Sequence, residues 1–537
     1  MLQVYDRVLS SRSYETLFVI TLLTFGLFAA MALIDLARSA SLARTGDQFE
    51  SNLKDLTFDV SLDVSRSGSA LAEQPLRDLR QIRQFVASPA LIAVFDAPWT
   101  PFFLCIIFLM HWLLGVVAVC GLLVLLALTF INERASRHAN GAAQGAAAHA
   151  DKLAQASIRN AAAADAMGMR SALKENWRTL SDRANLSALT ATDRIGGLTA
   201  TTKATRLFLQ SAILGTGAYL AINGAVTPGV MIAASIITGR ALAPVEVVTS
   251  QWKNFATTLS AYTRFTNLMN ATPPSMERTS LPDPSGAMSI AGLVCKPGTA
   301  KKPVLKNISF EVSAGEALGI IGPSAAGKST LAKALVGVER VLSGDIRLDG
   351  ARLDQWDREA LGPHIGYLPQ DVELFAGTAA QNIARFQKEA QAEEIVAAAQ
   401  AAGAHEMILS FDDGYDTEIG ERGLHLSAGQ RQRLGLARAL FADPKIIVLD
   451  EPNANLDAEG DAALGHAVKG LKARGATAII VAHRPAAIAS VDKLLLLADG
   501  EIRAFGPRDE ILQKLGASPM TGMRKAREVE TFKTEEA

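Results

Sequence analysis

The sequence predicts a molecule of two unlike parts: an α-helical transmembrane half, then an α/β half built around a phosphate-binding loop. Three observations predict it. Apolar residues make up 49% of the 537, and they gather before residue 250 in uncharged runs long enough to cross lipid. GPSAAGKST, 322–330, lies between a strand-like run and a helix-like one. KIIVLDEPNANLD, 445–457, ends a short apolar run in two adjacent carboxylates.

The bounds agree with that division. A chain this long suggests three or four domains. A net charge of −1 points to no nucleic-acid partner. Cysteines stand at 105, 120 and 295. Two lie inside apolar runs, so neither a disulfide framework nor a zinc site is indicated. No signal peptide with a cleavage site precedes the first apolar run.

A hydrocarbon core of about 30 Å needs roughly 20 apolar residues in a helix. The spacing predicts spans near 17–36, 99–111, 113–132, 207–223 and 229–247, all within a transmembrane domain over 1–275. Residues 102–131 carry no charge, yet one helix of that length would overshoot the bilayer, at about 1.5 Å per residue. Two helices with a tight turn near His111-Trp112 fit better. Lys and Arg are frequent in the loops 37–98 and 133–206 and missing from the turns near 111 and 225. Both long loops are therefore expected on the cytoplasmic side. Five spans put the termini on opposite faces. MLQVYDRVLSSRS then lies outside as an apolar stub, which predicts a further span upstream of Met1; a five-span chain with a short external N-terminus is the other reading.

The two loops carry apolar residues at helical spacing. Residues 141–166 are alanine-rich, and alanine is the best helix former, so a rigid rod is expected there. Short helices reaching the soluble half are expected near 58–76 and 161–170. Arg240 falls within the last span. Either it faces protein or water, as an ionisable residue in lipid must, or the span ends earlier and Arg240 snorkels to the surface.

In the second half, G-x-x-x-x-G-K-[ST] is matched by Gly322, Pro323, Ser324, Ala325, Ala326, Gly327, Lys328, Ser329 and Thr330. The glycines let successive N–H groups curl around a phosphate, and the helix start adds its dipole. Lys328 would reach the β- and γ-phosphates, and Ser329 would ligate Mg²⁺. Asp450 ends the apolar run, where it can hold Mg²⁺ through water. Glu451, next along, points elsewhere and can polarise an attacking water. LSAGQRQRLGLARAL, 426–440, begins a helix at Ser427 and Gly429, a second anion-binding end. One γ-phosphate does not need two helix starts from one chain, so this one is expected to serve a nucleotide held by another copy.

Together these motifs resemble the nucleotide-binding domain of ABC transporters, over 288–515. LSAGQ looks like the family signature and includes Gln430. Gln370 in GYLPQ resembles the Q-loop, which also contacts the metal. Asn455-Leu456-Asp457 resembles the D-loop, and His483 the switch histidine. TEIGERG, 417–423, looks like a loop typical of ABC exporters. MLQVYDRVLSSRS, FDAPWTPFF, AMGM and TPGVMIAASIITGRALAPVE narrow the likeness to the type I secretion permease/ATPases of the protease-exporter (PrtD-like) branch. It covers all but the charged tail, 516–537. Two positions depart from it. Ala428 replaces a commoner glycine, and the stretch LVCKPGTAKKP lacks the aromatic residue that usually stacks on adenine; Pro297-Gly298 could take its place.

The resemblance implies six spans per chain and a homodimer that sandwiches two ATP molecules with Mg²⁺. Lys328, Ser329 and Asp450 of one copy would face Ser427 and Gly429 of the other, with Gln370 and His483 sensing the γ-phosphate. It implies a secreted polypeptide substrate, a periplasmic membrane-fusion adaptor, an outer-membrane channel and residence in the bacterial inner membrane with the nucleotide-binding domain in the cytoplasm. Export of lipid or small amphiphiles and a nucleotide-gated, non-pumping switch are the competing functions. A soluble ATPase acting on DNA is excluded by the apolar runs.

Overall fold

The computed structural model describes residues 3–8, 11–66, 72–271, 281–298, 300, 302–420, 423, 426–456, 458–482 and 488–517. It divides into two compact units, one of residues 1–61 with 73–273 and the other of 62–72 with 274–537.

The described residues of the first unit form helices joined by short turns. Helix α1 (Tyr14–Arg66) is followed by α2 (Gln74–Val86), α3 (Pro89–Asp96), α4 (Thr100–Met110), α5 (Trp112–Arg159), α6 (Ala161–Ala166), α7 (Arg170–Ile222), α8 (Pro228–Ser250) and α9 (Trp252–Ala271). The break expected at His111-Trp112 is present. His111 is extended, and its Nδ1 accepts from the Leu113 amide at 3.2 Å, capping α5. The alanine-rich stretch continues α5 to Arg159 without interruption.

Among the described residues, four helical stretches are long and apolar enough to cross a membrane: Tyr14–Arg66, Pro89–Met110, Trp112–Ile131 and Pro228–Ser250. The run at 207–222 closes α7 and falls outside that group. Arg206 precedes it directly, and Gln210, Ser211 and Thr216 interrupt it. Charged residues mark one end of the apolar segments. Arg38 meets Asp96 at 2.8 Å, and Arg206 meets Glu246 at 3.0 Å. Between those ends Ile107, Leu114, Ala118, Ile213 and Ala234 form a buried cluster. Lipid tails are as apolar as these side chains, so the cluster is held by close packing rather than by release of water. At the other end the Asp6 carboxylate accepts from Thr227 Oγ1 (2.8 Å) and the Gly229 amide (2.9 Å), an anion at the start of α8.

One expectation changes and one is met in place. Residues 58–66 are the end of α1, not a separate short helix, because nothing in FDVSLDVSR breaks a helix before residue 67; residues 67–71 lie outside the described set. The expectation near 161–170 coincides with α6, which ends at the turn through Gly168 (φ +65°). Arg240 sits mid-way along α8, exposed, with its guanidinium 4.0 Å from Met31 Sδ.

The second unit is an α/β body with two sheets. Strands β1 (Met288–Cys295), β2 (Leu305–Val312), β4 (Val341–Leu348) and β5 (Ala351–Arg352) make an antiparallel sheet in the order β2-β1-β4-β5. The other sheet runs β10-β9-β3-β8-β7-β6, from β3 (Ala317–Ile321), β6 (Ile365–Leu368), β7 (Ile446–Asp450), β8 (Thr477–Val481), β9 (Lys493–Ala498) and β10 (Glu501–Pro507). Strands β3, β6, β7, β8 and β9 are parallel; β10 returns antiparallel.

Central parallel strands are covered on both faces and read as continuous apolar runs. IIVLD and TAIIV are buried at every position. Side chains alternate across the sheet. Ile447 and Leu449 enter the core that holds Leu434 and Leu440 of a helix at Ala428–Leu440 and Phe441 just after it. Ile446 and Val448 enter the opposite core, with Leu318, Ile320 and Leu331. That parity decides where Asp450 points.

Candidate functional site

Because β3, β6, β7 and β8 run parallel, their C-terminal ends gather at one sheet edge, where open α/β sheets bind ligands. β3 leads into the phosphate loop, β6 into Gln370, and β7 into Asp450 and Glu451.

The loop takes the backbone its glycines allow. Gly322 has φ +153°, and a Cβ there would lie 2.0 Å from the Leu497 carbonyl oxygen. Gly327 has φ +99°, and Ala325 between them is also left-handed at +64°. Helix α10 (Lys328–Leu335) starts at once, the loop-to-helix arrangement whose backbone amides suit a phosphate. Pro323 accepts from the Ala326 amide at 3.3 Å, which closes the turn around Ser324 and Ala325. Thr330 stands in the first turn of α10.

Lys328 is 5% exposed, and its Nζ donates to the carbonyls of Gly322 and Pro323, each at 2.9 Å. Burial lowers its pKa; the negative charges of Glu451 and Asp450 partly offset that. Asp450, on the same strand face as Ile446 and Val448, points at α10. Its Oδ1 accepts from Ser329 Oγ at 3.2 Å. Its Oδ2 is buried with no partner in the structure. Burial, then Glu451, raises the Asp450 pKa against the opposing Ser329 bond and the lysines 328 and 333. An orphaned buried carboxylate oxygen beside a serine hydroxyl is a donor set of the oxygen type that Mg²⁺ takes.

Glu451 leaves the strand with φ +52°, a strained conformation of the kind found at functional sites. Gln370 Nε2 donates to Glu451 Oε2 at 3.2 Å. In this structure Gln370 thus lies on the carboxylate expected to activate water rather than on the Ser329–Asp450 pair.

The signature stretch forms helix α11 (Ala428–Leu440) with a complete capping box. Ser427 Oγ accepts from the Gln430 amide (3.2 Å), and Gln430 Oε1 accepts from the Ser427 amide (2.8 Å). Gln430 is a cap here. Ser427, Gly429 and Gln430 line an open cavity of about 310 Å³ with Arg433, Asn455 and Leu456. Asp457 and His483 lie outside the described residues, as do 421–422 and 424–425 of the exporter-type loop. The turn expected to bear adenine closes with the Ala300 amide donating to the Pro297 carbonyl at 2.9 Å; Gly298 is exposed and Pro297 half-buried.

Two further residues organise this region that no sequence motif singles out. Gln432 is 1% exposed. Its Nε2 donates to the carbonyls of Glu451 (3.1 Å) and Pro452 (2.5 Å), and its Oε1 accepts from the Asn455 amide (3.1 Å). Arg385 donates to the carbonyls of Arg438 (3.0 Å), Ala439 (3.2 Å) and Phe441 (3.2 Å) at the end of α11, and to that of Gly362 (2.8 Å). The signal for Gln432 was available: it stands four residues before Leu436 on a helical apolar stripe, a polar residue on an inward face.

A membrane-spanning helical unit joined to an α/β unit with a phosphate loop, a strand-end carboxylate pair and a signature helix defines an ATP-driven membrane transporter. The chain belongs to the ABC transporter family. The family model for the ABC transporter matches residues 305–454, and that for the ABC transporter transmembrane region matches residues 2–241. The type I secretion system ATP-binding protein PrsD of Rhizobium meliloti (strain 1021) is 44% identical over 516 residues, 95% of this chain and 88% of that protein. The leukotoxin translocation ATP-binding protein LktB of Mannheimia haemolytica is 28% identical over 523 residues, 95% of this chain and 73% of that protein. The fold is that of a bacterial Atm1-family ABC exporter solved with ATP bound. That likeness has a TM-score of 0.81 at 22% identity and covers 98% of this chain and 94% of that one.

Proposed function

We propose that the chain is the ABC component of a type I secretion system, using ATP to export an unfolded polypeptide across the bacterial inner membrane. The 44% identity to PrsD over 95% of the chain is the observation that carries this. On this reading residues 1–275 form the membrane domain, with a fifth crossing at 207–223, and residues 288–515 form the nucleotide-binding domain on the cytoplasmic face. A periplasmic adaptor and an outer-membrane channel complete the route. Cargo of the protease, adhesin or repeat-toxin type fits the same resemblance.

The working unit is two copies of the chain. ATP would lie with its phosphates in the loop 322–330, whose amides and Lys328 balance their charge, with Pro297-Gly298 beneath the adenine. Ser329 and Asp450, with Gln370, would hold Mg²⁺, which neutralises charge on the β- and γ-phosphates when bound. Ser427 and Gly429 of the partner would close the site, with Asp457 beside it. Glu451 accepts a proton from the attacking water, and Gln370, within reach of that carboxylate, ties it to the strand β6 end. His483 would contact the γ-phosphate. Closure brings the helical rods together, and hydrolysis releases them.

The test is Glu451→Gln. It should leave ATP binding within about twofold, lower hydrolysis by roughly 100-fold or more, and stop secretion. Export that continues in this variant would refute a pump and favour a nucleotide-gated switch. ATPase activity stimulated by amphiphiles with no dependence on an adaptor would favour export of lipid or small molecules.

A further inference from the structure

The segment from Glu451 to Asn455 connects the carboxylate proposed to activate water to the D-loop. The Glu451 amide donates to the Val481 carbonyl at 3.0 Å, and the Ala454 amide donates to the Glu451 carbonyl at 3.2 Å. Further support comes from one face of α11. Gln432 binds three backbone groups of the segment through its buried carboxamide. Gly429, one turn earlier on that face, packs so closely that a Cβ there would lie 3.0 Å from the Asn455 carbonyl oxygen. Glu451 is left-handed, a conformation that persists only where its surroundings impose it.

We propose that Gln432 is a positioning residue: it transmits the placement of the Ser427–Gly429 helix start to the Glu451 carboxylate of the same chain. The inference rests on the two-copy reading above. There, the helix start of one copy faces the nucleotide of its partner. Docking of that helix on the partner's ATP then sets the geometry of the chain's own Glu451, so one nucleotide primes hydrolysis of the other. The link is a single buried side chain with its donors on two carbonyls and its acceptor on an amide.

The test uses the full-length dimer reconstituted in lipid, with MgATP as the probe. Gln432→Met keeps the volume and removes the hydrogen bonds. It should lower kcat by about tenfold, equivalent to about 1.4 kcal/mol of barrier, hold KM within twofold, and bring the Hill coefficient for ATP to one. Gln432→Glu keeps the acceptor and loses the donors. It should show a similar loss near neutral pH, recovering relative to the unsubstituted chain as the pH falls and the buried carboxyl gains a proton to donate. Mixed dimers separate action within a chain from action across the pair. A Glu451→Gln chain paired with a Gln432→Met chain should show the tenfold loss. A chain carrying both substitutions, paired with an unsubstituted chain, should hydrolyse ATP several-fold faster than that pair. Unchanged kcat in both Gln432 variants, KM rising with the loss of kcat, or equal rates from the two mixed dimers would overturn the proposal. Hydrolysis surviving in the Glu451→Gln homodimer would instead refute the reading on which it rests.

Discussion

Arg385 shows how much one side chain can organise at the end of α11. A helix leaves its last four carbonyls without intrahelical partners. At the end of α11 the Arg385 guanidinium takes three carbonyls at residues 438–441 and reaches Gly362 ahead of β6. Burial first, and the nearby Arg438 second, push its pKa down to about 10, so it stays charged at neutral pH. Its backbone is left-handed at φ +53°, which only a well-held residue sustains. Replacing it with methionine leaves buried carbonyls unpaired. The expected cost is on the order of 2–4 kcal/mol, read as an earlier midpoint in urea, with ATP hydrolysis lost in parallel. An unfolding free energy within a few tenths of a kcal/mol of the parent would show that water replaces the guanidinium. Nothing in QNIARF announces this role, because each carbonyl it takes lies 20 or more positions away in sequence.

At the scale of elements, the start of β1 is anchored by Asp349, in the turn after β4. Its carboxylate accepts from the amides of Ser285 (2.5 Å), Gly286 (3.3 Å) and Ala287 (3.0 Å), and from Ser285 Oγ (2.6 Å). Burial works against its charge, but these bonds prevail and hold its pKa below the usual 3.8. The linkage has a definite sign. A carboxylate depressed in the folded state stabilises the fold above its unfolded pKa, and that contribution disappears as pH falls through the folded value. The thermal midpoint should therefore drop between pH 5 and pH 3 by more in the parent chain than in Asp349→Asn; superimposable pH curves would contradict the assignment. The central strands needed no such discovery. IIVLD and TAIIV are too apolar for anything but a doubly covered strand, and the strict alternation along β7 sends Asp450 toward Ser329 as soon as that strand is recognised. The capping box at Ser427-Gln430 was likewise legible, as S-x-x-Q ahead of an apolar run.

The whole molecule is read as a pair of chains, and that reading makes a prediction no single chain can satisfy. If each ATP lies between Lys328 of one copy and Ser427 of the other, Lys328→Ala in one chain and Ser427→Arg in its partner leave one site intact. The same two substitutions in one chain, paired with an unsubstituted copy, spoil both sites. Hydrolysis by the first mixed dimer should exceed that by the second by tenfold or more, and equal rates would mean that each chain hydrolyses ATP alone. Apolar spans, the phosphate loop and the strand-end carboxylates could all be read from the chain, because each depends on local chemistry: an uncharged run the length of a bilayer, glycines that permit positive φ, a buried strand that must end somewhere. What only the tertiary structure decided was which side chains answer for another segment's backbone. Gln432 and Arg385 are polar residues whose partners become neighbours only when α11 packs against the sheet, and the cost of burying an unpaired carbonyl, which gives them their role, does not exist until that packing excludes water.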